Sequence, residues 1–418
     1  SPSVGKHSGM HILFLSDNFP PEVNAPASRT FEHCREWVKA GHRVTVITCA
    51  PNFPTGKVFS GYKNTLWQAD DTDGIRVIRV WSYITRNEGF FRRILDYLSF
   101  MMTATIASLF VRRVDIVVGT SPQFFTSCAA FAVAAVKRRP WIFELRDIWP
   151  ESIRAVSAMK QSWVLDQLER LELFLYRRSS AIVSVTHAFK ENLVRRHIAG
   201  EKIHVITNGV DLNRFFPRQK DERLERELGL QGKLVAGYIG THGLAHALDT
   251  LIDAAISLRD HPQGKGIHLL MLGDGAERAR LAQRIKASGL DNIMMLDSVP
   301  KNEVVRYWSL LDVSIIHLAR NELFKTVIPS KIFESMGMGI PLLHGVEGES
   351  ASIVEDNAAG ILFEPENPED LVRKLIALHQ DPEQLQNLSE HGVQAAPRYS
   401  REQLAHEMLK ILETTARS

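Results

Sequence analysis

The chain has 418 residues, of which 44% are hydrophobic and 23% charged, and its formal net charge is +2. This length exceeds one ordinary hydrophobic core and predicts two domains of about 200 residues each. A net charge so close to zero gives no reason to expect a nucleic acid partner. Cys34, Cys49 and Cys128 are odd in number and share no metal-ligand spacing, which is typical of free thiols in a reducing, cytoplasmic compartment. Residues 1–9 precede a methionine without an apolar signal core and are expected to be an expression remnant.

The first half of the chain is predicted to form a parallel sheet covered by helices. An apolar strand at 11–17 is followed by a loop, a helix at about 27–40 and a strand at 43–49. Gly41 stands at the expected C-terminal cap of this helix. The β-loop-α-β order requires a parallel pair of strands. Further apolar strands, mostly with helical segments between them, are predicted at 75–81, 114–120, 141–147 and 181–186.

The segment 90–113 decides whether the chain is expected to span a membrane. It is long and apolar, and an arginine pair stands at each end. A membrane span needs about 20 apolar residues with few charges, but Asp96, Tyr97 and several Ser and Thr interrupt this segment. The sequence therefore favours a crossover helix of an α/β domain. Two alternatives stay open for its surface: solvated arginines around a helix whose apolar residues are all core, or a helix that also binds an anionic membrane surface. The four arginines are Arg92, Arg93, Arg112 and Arg113.

The second half repeats the first. A strand and turn at 204–217 end the first half, so the predicted domains are 10–212 and 213–399, and a last helix from about 400 is expected to pack back on the first domain. In such sheets ligands bind at the carboxyl ends of the strands, and a cleft between the two domains is expected. The predicted strands are 234–242, 267–275, 293–299, 313–319 and 360–365, and the helices are 245–259, 276–288 and 301–311.

The stretch VIPSKIFESMGMGIPLL, residues 327–343, places a charged helical turn at the carboxyl edge of the second sheet. Ser330 is predicted to cap a helix, and Lys331 and Glu334 lie three residues apart on one helical face. The helix N-terminus and the lysine suit a diphosphate, whereas the carboxylate suits the paired hydroxyls of a sugar such as ribose. The pattern thus indicates a nucleoside diphosphate site. The alternative is a capped helix with a surface ion pair.

Several motifs in order resemble the family 4 glycosyltransferases of GT-B fold, over nearly the whole chain from Met10. FPPEVNAPASRTFEHCREWVKAGHRVTVIT is similar to their N-terminal loop, helix and second strand, and TNGVDLNRFFP is similar to their interdomain segment. GDGAERARL and PSKIFESMGMGIPLL complete the set. PPEVNAPASR, RDIWPESI and PSK together resemble the branch that acts in bacterial surface polysaccharide assembly, often on N-acetylated amino sugars. The resemblance implies two Rossmann-like doubly wound domains facing across a cleft, the first for acceptor and the second for donor.

The resemblance also implies donor-binding residues. Glu334 matches the second glutamate of the family's C-terminal motif, which implies a ribose contact. The first glutamate is replaced by Thr326, so the sugar contact falls to Thr326, Val327 and Ile328. The family's basic pair after the first strand of this domain is absent from GTHGLAH, so the leaving diphosphate is expected to depend on Lys331, Lys325 and the helix dipole. The other donor-binding residues expected are Ser330, Pro329, Gly240, Thr241, His242, Gly273 and Val299.

The implied chemistry is metal-independent sugar transfer with retention of configuration, without a cofactor. The donor is a nucleoside diphosphate sugar, with UDP expected, and the acceptor is a lipid-linked sugar or an oligosaccharide at the cytoplasmic face of the membrane. Arg146 and Asp147 stand where many members have a His-Asp pair and are predicted to be catalytic together with Lys331. The predicted acceptor-side residues are Asn24, Ala25 and Arg29, with a plain surface arginine as the alternative for Arg29.

Other patterns favour less specific interpretations. The aspartates of DTD at 71–73 precede a glycine and a strand, so a turn explains them better than a metal site. His242 and His246 have a zinc-like spacing without a third ligand, and GDG at 273–275 lacks the full dinucleotide motif. His187 is more typical of a packed histidine than of a base. Two other functions stay open: a sugar-nucleotide 2-epimerase of GT-B fold, and a non-catalytic subunit that binds a nucleotide sugar.

Overall fold

The structure is a computed structural model that describes residues 9–53, 55–85, 89–121, 124–149 and 163–418. Residue contacts divide the chain into two compact units. Unit 1 comprises Ser1–Asn208 together with Arg401–Ser418, and unit 2 comprises Gly209–Ser400. The division lies between 208 and 209, slightly before the boundary expected at 212, and the last helix belongs to unit 1.

The strands are short and mostly buried. They are, in chain order, β1 (His11–Leu15), β2 (Arg43–Cys49), β3 (Trp67–Thr72), β4 (Ile75–Val80), β5 (Ile116–Thr120), β6 (Trp141–Leu145), β7 (Ala181–Ser184), β8 (Ile203–Val205), β9 (Leu234–Ile239), β10 (Ile267–Leu272), β11 (Ile293–Leu296), β12 (Val313–His317), β13 (Leu342–Gly345) and β14 (Gly360–Leu362).

The helices alternate with these strands. They are α1 (Ala25–Lys39), α2 (Phe90–Leu109), α3 (Phe124–Lys137), α4 (Trp163–Arg178), α5 (His187–Arg195), α6 (Glu222–Glu227), α7 (Asp249–Asp260), α8 (Arg278–Ala287), α9 (Val304–Trp308), α10 (Lys331–Gly337), α11 (Glu349–Asp356), α12 (Pro368–His379), α13 (Pro382–Ala395) and α14 (Arg401–Arg417). Short 3₁₀ helices occur at Gly200–Lys202, Leu244–His246, Glu322–Thr326 and Ala396–Tyr399.

Within its described residues, unit 1 is built on an eight-stranded sheet with the order β3-β4-β2-β1-β5-β6-β7-β8. Neighbouring strands are parallel except β3 and β4, which form an antiparallel hairpin at the edge. Leu13 and Leu15 of β1 enter the core on one face, and Ile12 and Phe14 enter the core on the other. Because successive side chains of a strand point to opposite faces, such an apolar strand needs helices on both sides.

Helices cover both faces of this sheet. Residues of α1 and α14 line the core on the Ile12 face, whereas residues of α2, α3 and α4 line the other. Trp37 of α1 is fully buried there, and its Nε1 donates a hydrogen bond to the carbonyl oxygen of Ala405 in α14 at 2.9 Å. The last helix is therefore part of the first core rather than an appendage of the second.

Unit 2 has a six-stranded sheet, within its described residues, with the order β11-β10-β9-β12-β13-β14 and every pair parallel. Its two buried clusters lie on opposite faces: Val235 and Ile239 of β9 contribute to one, and Ala236 and Tyr238 to the other. The predicted fold class, two Rossmann-like units with parallel sheets, is confirmed.

The segment 90–113 forms the crossover helix α2, which ends at Leu109 and leads to β5. Phe100, Ala104 and Ala107 on its inner face are buried in the core of unit 1. Among the described residues, no helix combines the length and the apolar character that a membrane crossing requires.

Two local predictions meet different outcomes. The DTD motif forms the tight turn between β3 and β4: Asp73 has φ 51°, Gly74 has φ 83°, and Asp71 Oδ1 accepts a hydrogen bond from Gly74 N at 3.1 Å. The turn interpretation is thus confirmed. The helix predicted from residue 245 begins instead at Asp249, because Ala247 has φ 45° and interrupts the chain after a 3₁₀ turn.

Candidate functional site

The helix α10 presents charged side chains at the carboxyl edge of the second sheet, between β12 and β13. Its inner face is anchored by Ile332, Phe333 and Met336, which are fully buried. Gly339, with φ 69°, turns the chain after the helix toward β13. Since the apolar residues occupy the inner face, Lys331 and Glu334 lie on the outer one, as the sequence predicted.

Lys331 and Glu334 form an ion pair that leaves the carboxylate partly unsatisfied. Lys331 Nζ lies 3.2 Å from Glu334 Oε2, and the two side chains are 36% and 13% exposed. Although the charges are close, this contact lacks hydrogen-bond geometry, and the buried Oε2 has no hydrogen-bond partner within the described part of the chain. Buried carboxylate oxygens normally accept at least one hydrogen bond. The oxygen is therefore suited to accept a hydrogen bond from a ligand, for example from a hydroxyl group.

Ser330 occupies the N-cap position but does not cap the helix with its side chain, so that prediction is wrong. Its backbone is already helical, with φ −64° and ψ −24°, and its side chain makes no capping hydrogen bond. Capping by serine requires an extended backbone. The first turn is closed instead by the carbonyl oxygens of Pro329 and Ser330, which accept hydrogen bonds from Ile332 N and Phe333 N.

The chain before α10 is a short 3₁₀ helix that carries Lys325 and Thr326. Thr326 Oγ1 donates a hydrogen bond to the carbonyl oxygen of Leu323 at 2.7 Å. Lys325 Nζ lies 2.8 Å from Glu322 Oε1 and 3.7 Å from Glu347 Oε2. These acidic partners raise the pKa of Lys325, and the hydrogen bond that Lys325 donates to Glu322 has the largest effect. The structure therefore places two exposed carboxylates near the position where the family motif has its first glutamate.

Val327 and Ile328 connect this 3₁₀ helix to α10 and face inward. Ile328 is buried in the core of unit 2, and Val327 packs partly against it. Their side chains therefore anchor the segment, and the predicted contact with a donor sugar is left to their backbone.

The loops after β9 and β10 pack directly on each other. Gly240 N donates to the carbonyl oxygen of Leu272, and His242 N donates to that of Asp274 at 2.9 Å. A Cβ on Gly273 would lie only 1.9 Å from Gly240 O, so this approach requires glycine. The structure thus brings together Gly240, Thr241, His242 and Gly273, with Thr241 O accepting a hydrogen bond from the Tyr238 hydroxyl at 2.7 Å.

His242 is buried and is not a cation at neutral pH. Its residue is 0% exposed, and neither ring nitrogen has a hydrogen-bond partner among the described residues. Burial, and to a smaller extent the nearby charge of Arg278, lowers the pKa of His242 to about 4. The imidazole is therefore neutral at pH 7.

Arg278, at the start of α8, is the cation beside these loops that sequence reasoning missed. Its Nε donates to Gly273 O at 3.2 Å, and its Nη2 lies 2.5 Å from Asp297 Oδ1. The signal was present in GDGAERARL, but the arginine is distant in sequence from His242. Val299, which was also predicted, follows β11 and packs against the core of unit 2.

A second histidine fastens the loops at this edge. The buried His317 lies at the end of β12, and its Nδ1 is 2.7 Å from His246 O while its Nε2 is 2.9 Å from Glu366 N. Because an amide N–H can only donate, Nε2 accepts and Nδ1 carries the proton. Burial also lowers the pKa of His317, so the neutral tautomer ties the loop after β9 to that after β14.

The acceptor-side residues predicted in unit 1 lie at the start of α1. Asn24 is the N-cap: its Oδ1 accepts a hydrogen bond from Ala27 N at 3.3 Å, and its Nδ2 donates to Asn18 Oδ1 at 2.9 Å. Ala25 is the first residue of the helix. Both are half-buried, and they follow the carboxyl end of β1.

Arg29 lies in the interior of unit 1, so the plain surface arginine is wrong, whereas its role on the acceptor side stays a prediction. The residue is 0% exposed. Its Nη1 donates to the carbonyl oxygens of Ile206 and Thr207 at 2.9 Å each, and its Nε lies 3.4 Å from Glu144 Oε2. Arg29 donates hydrogen bonds to the carbonyl oxygens that follow β8 and forms an ion pair with Glu144 of β6. Its side chain therefore connects these two parts of the interior of unit 1.

Arg146 belongs to the same buried network. Its side chain is 5% exposed, and Nη1 lies 3.7 Å from Glu144 Oε1. Burial lowers the pKa of Arg146 to about 9, against the opposing charge of Glu144. Asp147, the next residue, is half-buried, and its charge helps to raise the pKa of Tyr97 in α2, to which burial contributes most. The side chain of Arg146 thus points to Glu144, while Asp147 lies toward α2.

Within the part of the chain that the structure describes, the residues considered as metal ligands in the sequence do not come together in a group of three potential ligands. Among the described residues, the one group of three or more potential ligands is Glu36, Glu402 and His406, on α1 and α14. It includes neither the DTD aspartates nor His242 with His246. His187 begins α5 and lines a surface pocket with Lys190 and Arg195.

Comparison with known proteins identifies the family. The family model described as Glycosyltransferase Family 4 matches residues 27–214, and the model described as Glycosyl transferases group 1 matches residues 220–395. The chain belongs to the family 4 glycosyltransferases. The resemblance seen in the sequence motifs is thereby confirmed, and its two parts correspond to the two sheets.

Individual relatives of this glycosyltransferase are distant. It is 23% identical over 342 residues to a colanic acid biosynthesis glycosyl transferase, WcaI of Escherichia coli K12, which covers 79% of this chain and 82% of that protein. It is 22% identical to a GDP-mannose-dependent alpha-mannosyltransferase of Mycobacterium tuberculosis, over 85% and 84% of the two chains. The structure of Anabaena HepE in complex with UDP and glucose matches with a TM-score of 0.72 and 16% identity, over 97% of this chain and 99% of that one. The overall fold is therefore that of the GT-B glycosyltransferases.

Proposed function

We propose that this glycosyltransferase moves an N-acetylated amino sugar, with retention of configuration, from a UDP-linked donor to a lipid-linked or saccharide acceptor in bacterial surface polysaccharide assembly, such as O-antigen and lipopolysaccharide synthesis. The observation that carries the proposal is the pair on α10. Lys331 Nζ and the unsatisfied Glu334 Oε2 are 3.2 Å apart at the carboxyl edge of a parallel sheet. A nucleoside diphosphate sugar offers phosphate oxygens for the first and ribose hydroxyls for the second.

In this proposal, the chemistry depends on stabilising the departing diphosphate. As the glycosidic bond breaks, negative charge grows on the phosphate oxygen, and an ammonium group near that oxygen stabilises the transition state more than the intact donor. Lys331 is the group assigned to that role. The acceptor hydroxyl attacks from the face that the diphosphate leaves, and the diphosphate takes up its proton. A lysine supplies the positive charge without a divalent metal.

The donor assignment draws on different kinds of support. The matching structure of HepE contains UDP, whereas the mycobacterial relative is named for GDP-mannose. The motifs PPEVNAPASR, RDIWPESI and PSK favour the amino-sugar branch, and WcaI is named for the synthesis of a surface polysaccharide. A panel of donors therefore has to include both nucleotides.

Thermal unfolding with a panel of sugar nucleotides tests the donor first. UDP-N-acetylglucosamine, UDP-N-acetylgalactosamine, UDP-glucose and GDP-mannose are compared with UDP, GDP and ADP. A ligand at a hundred times its Kd stabilises by about 2.7 kcal/mol, which corresponds to a rise of roughly 5–10 °C for a domain of this size. We expect the largest rise with a UDP amino sugar. A larger rise with GDP-mannose would overturn the donor assignment.

Transfer is then measured with the radiolabelled sugar of the best donor and a bacterial membrane extract as acceptor. Label is expected in the lipid-extractable or oligosaccharide fraction, and Lys331→Ala serves as the matched inactive control. Label in a new sugar nucleotide without any acceptor would identify the 2-epimerase instead.

A non-catalytic nucleotide-sugar-binding subunit is the second candidate, and Thr326 is the observation that favours it. The position of the family's first glutamate carries a hydroxyl that is already bonded to Leu323 O. Donor binding without turnover in any acceptor extract would support this candidate over the enzyme.

A further inference from the structure

The outer face of α2 carries a row of large apolar side chains in water. Leu95 is 54% exposed, Met102 61%, Ile106 56% and Leu109 42%. At about 100° per residue, these four residues fall within an arc of about 60°, on the side of the helix opposite to Phe100, Ala104 and Ala107. We call the four residues the outer stripe. The alternative that the apolar residues of this segment are all core is wrong, because α2 is apolar on both faces.

The serine and threonine hydroxyls that interrupt the apolar sequence of α2 are hydrogen-bonded to the protein itself. The hydroxyls of Ser99 and Thr105 donate to the carbonyl oxygens of Asp96 and Met101 within the helix at 2.7 and 2.6 Å, and the Thr103 hydroxyl lies 2.6 Å from Trp81 O and 3.0 Å from Ser99 O. A hydroxyl that is bonded to its own helix costs little to remove from water. The outer stripe therefore forms one continuous apolar surface. Exposed apolar patches of this kind are typical of binding surfaces.

Positive charges flank the stripe at both ends. Arg92 stands at the first turn of α2, and Arg112 follows its last turn, both exposed. Lys137 Nζ, at the end of α3, donates to the carbonyl oxygen of Val111 at 2.6 Å. This contact brings the exposed Arg138 and Arg139 next to the same end of α2.

We propose that the outer stripe and its flanking cations dock unit 1 on the surface of a lipid bilayer that contains anionic lipids. The charge pattern selects this partner: an apolar stripe with cations at its ends matches the acyl boundary and the negative head groups of such a surface. A helix of 20 residues is about 30 Å long and lies in the interface plane with its apolar face inserted. The inference deepens the proposed function, because it gives the enzyme a surface for reaching a lipid-linked acceptor.

Vesicle flotation tests the docking without donor or acceptor, so its result is independent of the proposed activity. The full chain is mixed with vesicles of phosphatidylcholine alone or with phosphatidylglycerol at a third of the lipid, at low and high salt. The stripe variant carries Leu95→Gln, Met102→Gln and Ile106→Gln. The matched control replaces exposed apolar residues elsewhere, with Leu66→Gln, Val194→Gln and Val393→Gln.

A charge variant separates the electrostatic part. It carries Arg92→Gln and Arg112→Gln, and its control carries Lys265→Gln and Lys286→Gln, which remove the same charge from exposed positions of unit 2. Each arginine near an anionic surface contributes roughly fivefold to partitioning, so the charge variant is expected to bind roughly 25-fold more weakly. Equal melting temperatures establish that the variants are folded.

We expect the wild type and both controls to float with the anionic vesicles, less at high salt, and the stripe variant to lose at least tenfold in binding. The inference is overturned if the wild type stays in solution, or if the stripe variant floats as the wild type does. It is also overturned if sedimentation shows that the wild type is a dimer and the stripe variant a monomer, because the stripe would then bind a second copy of the chain. UDP binding by the stripe variant reports separately on unit 2.

Discussion

Glu334→Gln tests the proposed contact of this carboxylate with the ribose, because glutamine keeps the shape of the side chain and removes its charge. In the proposed complex, Glu334 Oε2 accepts a hydrogen bond from a ribose hydroxyl, whereas the described part of the chain offers it no donor. A hydrogen bond to a charged group contributes about 1.5–3 kcal/mol, so the variant is expected to bind UDP about 10- to 150-fold more weakly. The free energy of unfolding is expected to fall by much less. The ion pair with Lys331, whose side chain is 36% exposed, is screened by solvent and is worth at most about 1 kcal/mol.

Isothermal titration of UDP into the wild type and the variant measures the change in Kd directly. Glu369→Gln is a matched control, since Glu369 is an exposed carboxylate in the first turn of α12. We expect the control to bind as the wild type does and both variants to melt within a few degrees of it. An unchanged Kd for Glu334→Gln would refute the assignment of this carboxylate to the ribose.

Four further predictions address charge and stability. Lys331→Ala is expected to lower kcat as well as donor affinity, and steady-state kinetics that show a change only in KM would remove its transition-state role. Transfer is expected to continue in excess EDTA; abolition by EDTA with recovery on adding magnesium or manganese would reopen the search for a metal site. Arg29→Ala removes the closer of the two buried arginines that contact Glu144 and leaves the carbonyl oxygens of Ile206 and Thr207 without their donor, so it is expected to cost about 3–5 kcal/mol in urea unfolding. Burial lowers the pKa of His344 to about 3 in the folded state, so this group's stabilising contribution is complete above pH 6.5 and is lost as the pH falls. The loss from this group is about 2 kcal/mol at pH 5, so on going from pH 7.5 to 5.0 the wild type should lose about 2 kcal/mol more of its unfolding free energy than His344→Gln does.

The buried strands could be predicted because their sequences are continuous runs of mainly apolar residues. β1, β9 and β10 each appear as five or six buried residues, and their order with intervening helices is enough to predict parallel sheets. β3 was missed for the opposite reason. Its sequence, WQADDT, is polar and largely exposed, because it pairs with a single neighbour at the edge of the sheet.

Within the candidate site, local patterns were predictable and long-range ones were not. Lys331 and Glu334 are three residues apart, so helical geometry alone places them together. Arg29 and Glu144 are separated by 115 residues, and nothing in either neighbourhood signals that they pair in the core. The neutral state of His242 was likewise invisible, since it depends on burial between loops that follow different strands.

The charges at the carboxyl edge of unit 2 explain why the proposed donor site depends on Lys331 in particular. His242 is neutral, and Arg278 donates to Gly273 O and lies 2.5 Å from Asp297, whereas Lys331 lies 3.2 Å from Glu334 and makes no hydrogen bond with it. A diphosphate offers this lysine two negative charges, and the attached ribose offers Glu334 the hydrogen-bond donors that its buried oxygen lacks. Both residues therefore exchange a weak partner for a stronger one when the proposed donor binds. The ion pair in the free chain keeps the two side chains in place until then, and it costs little to separate.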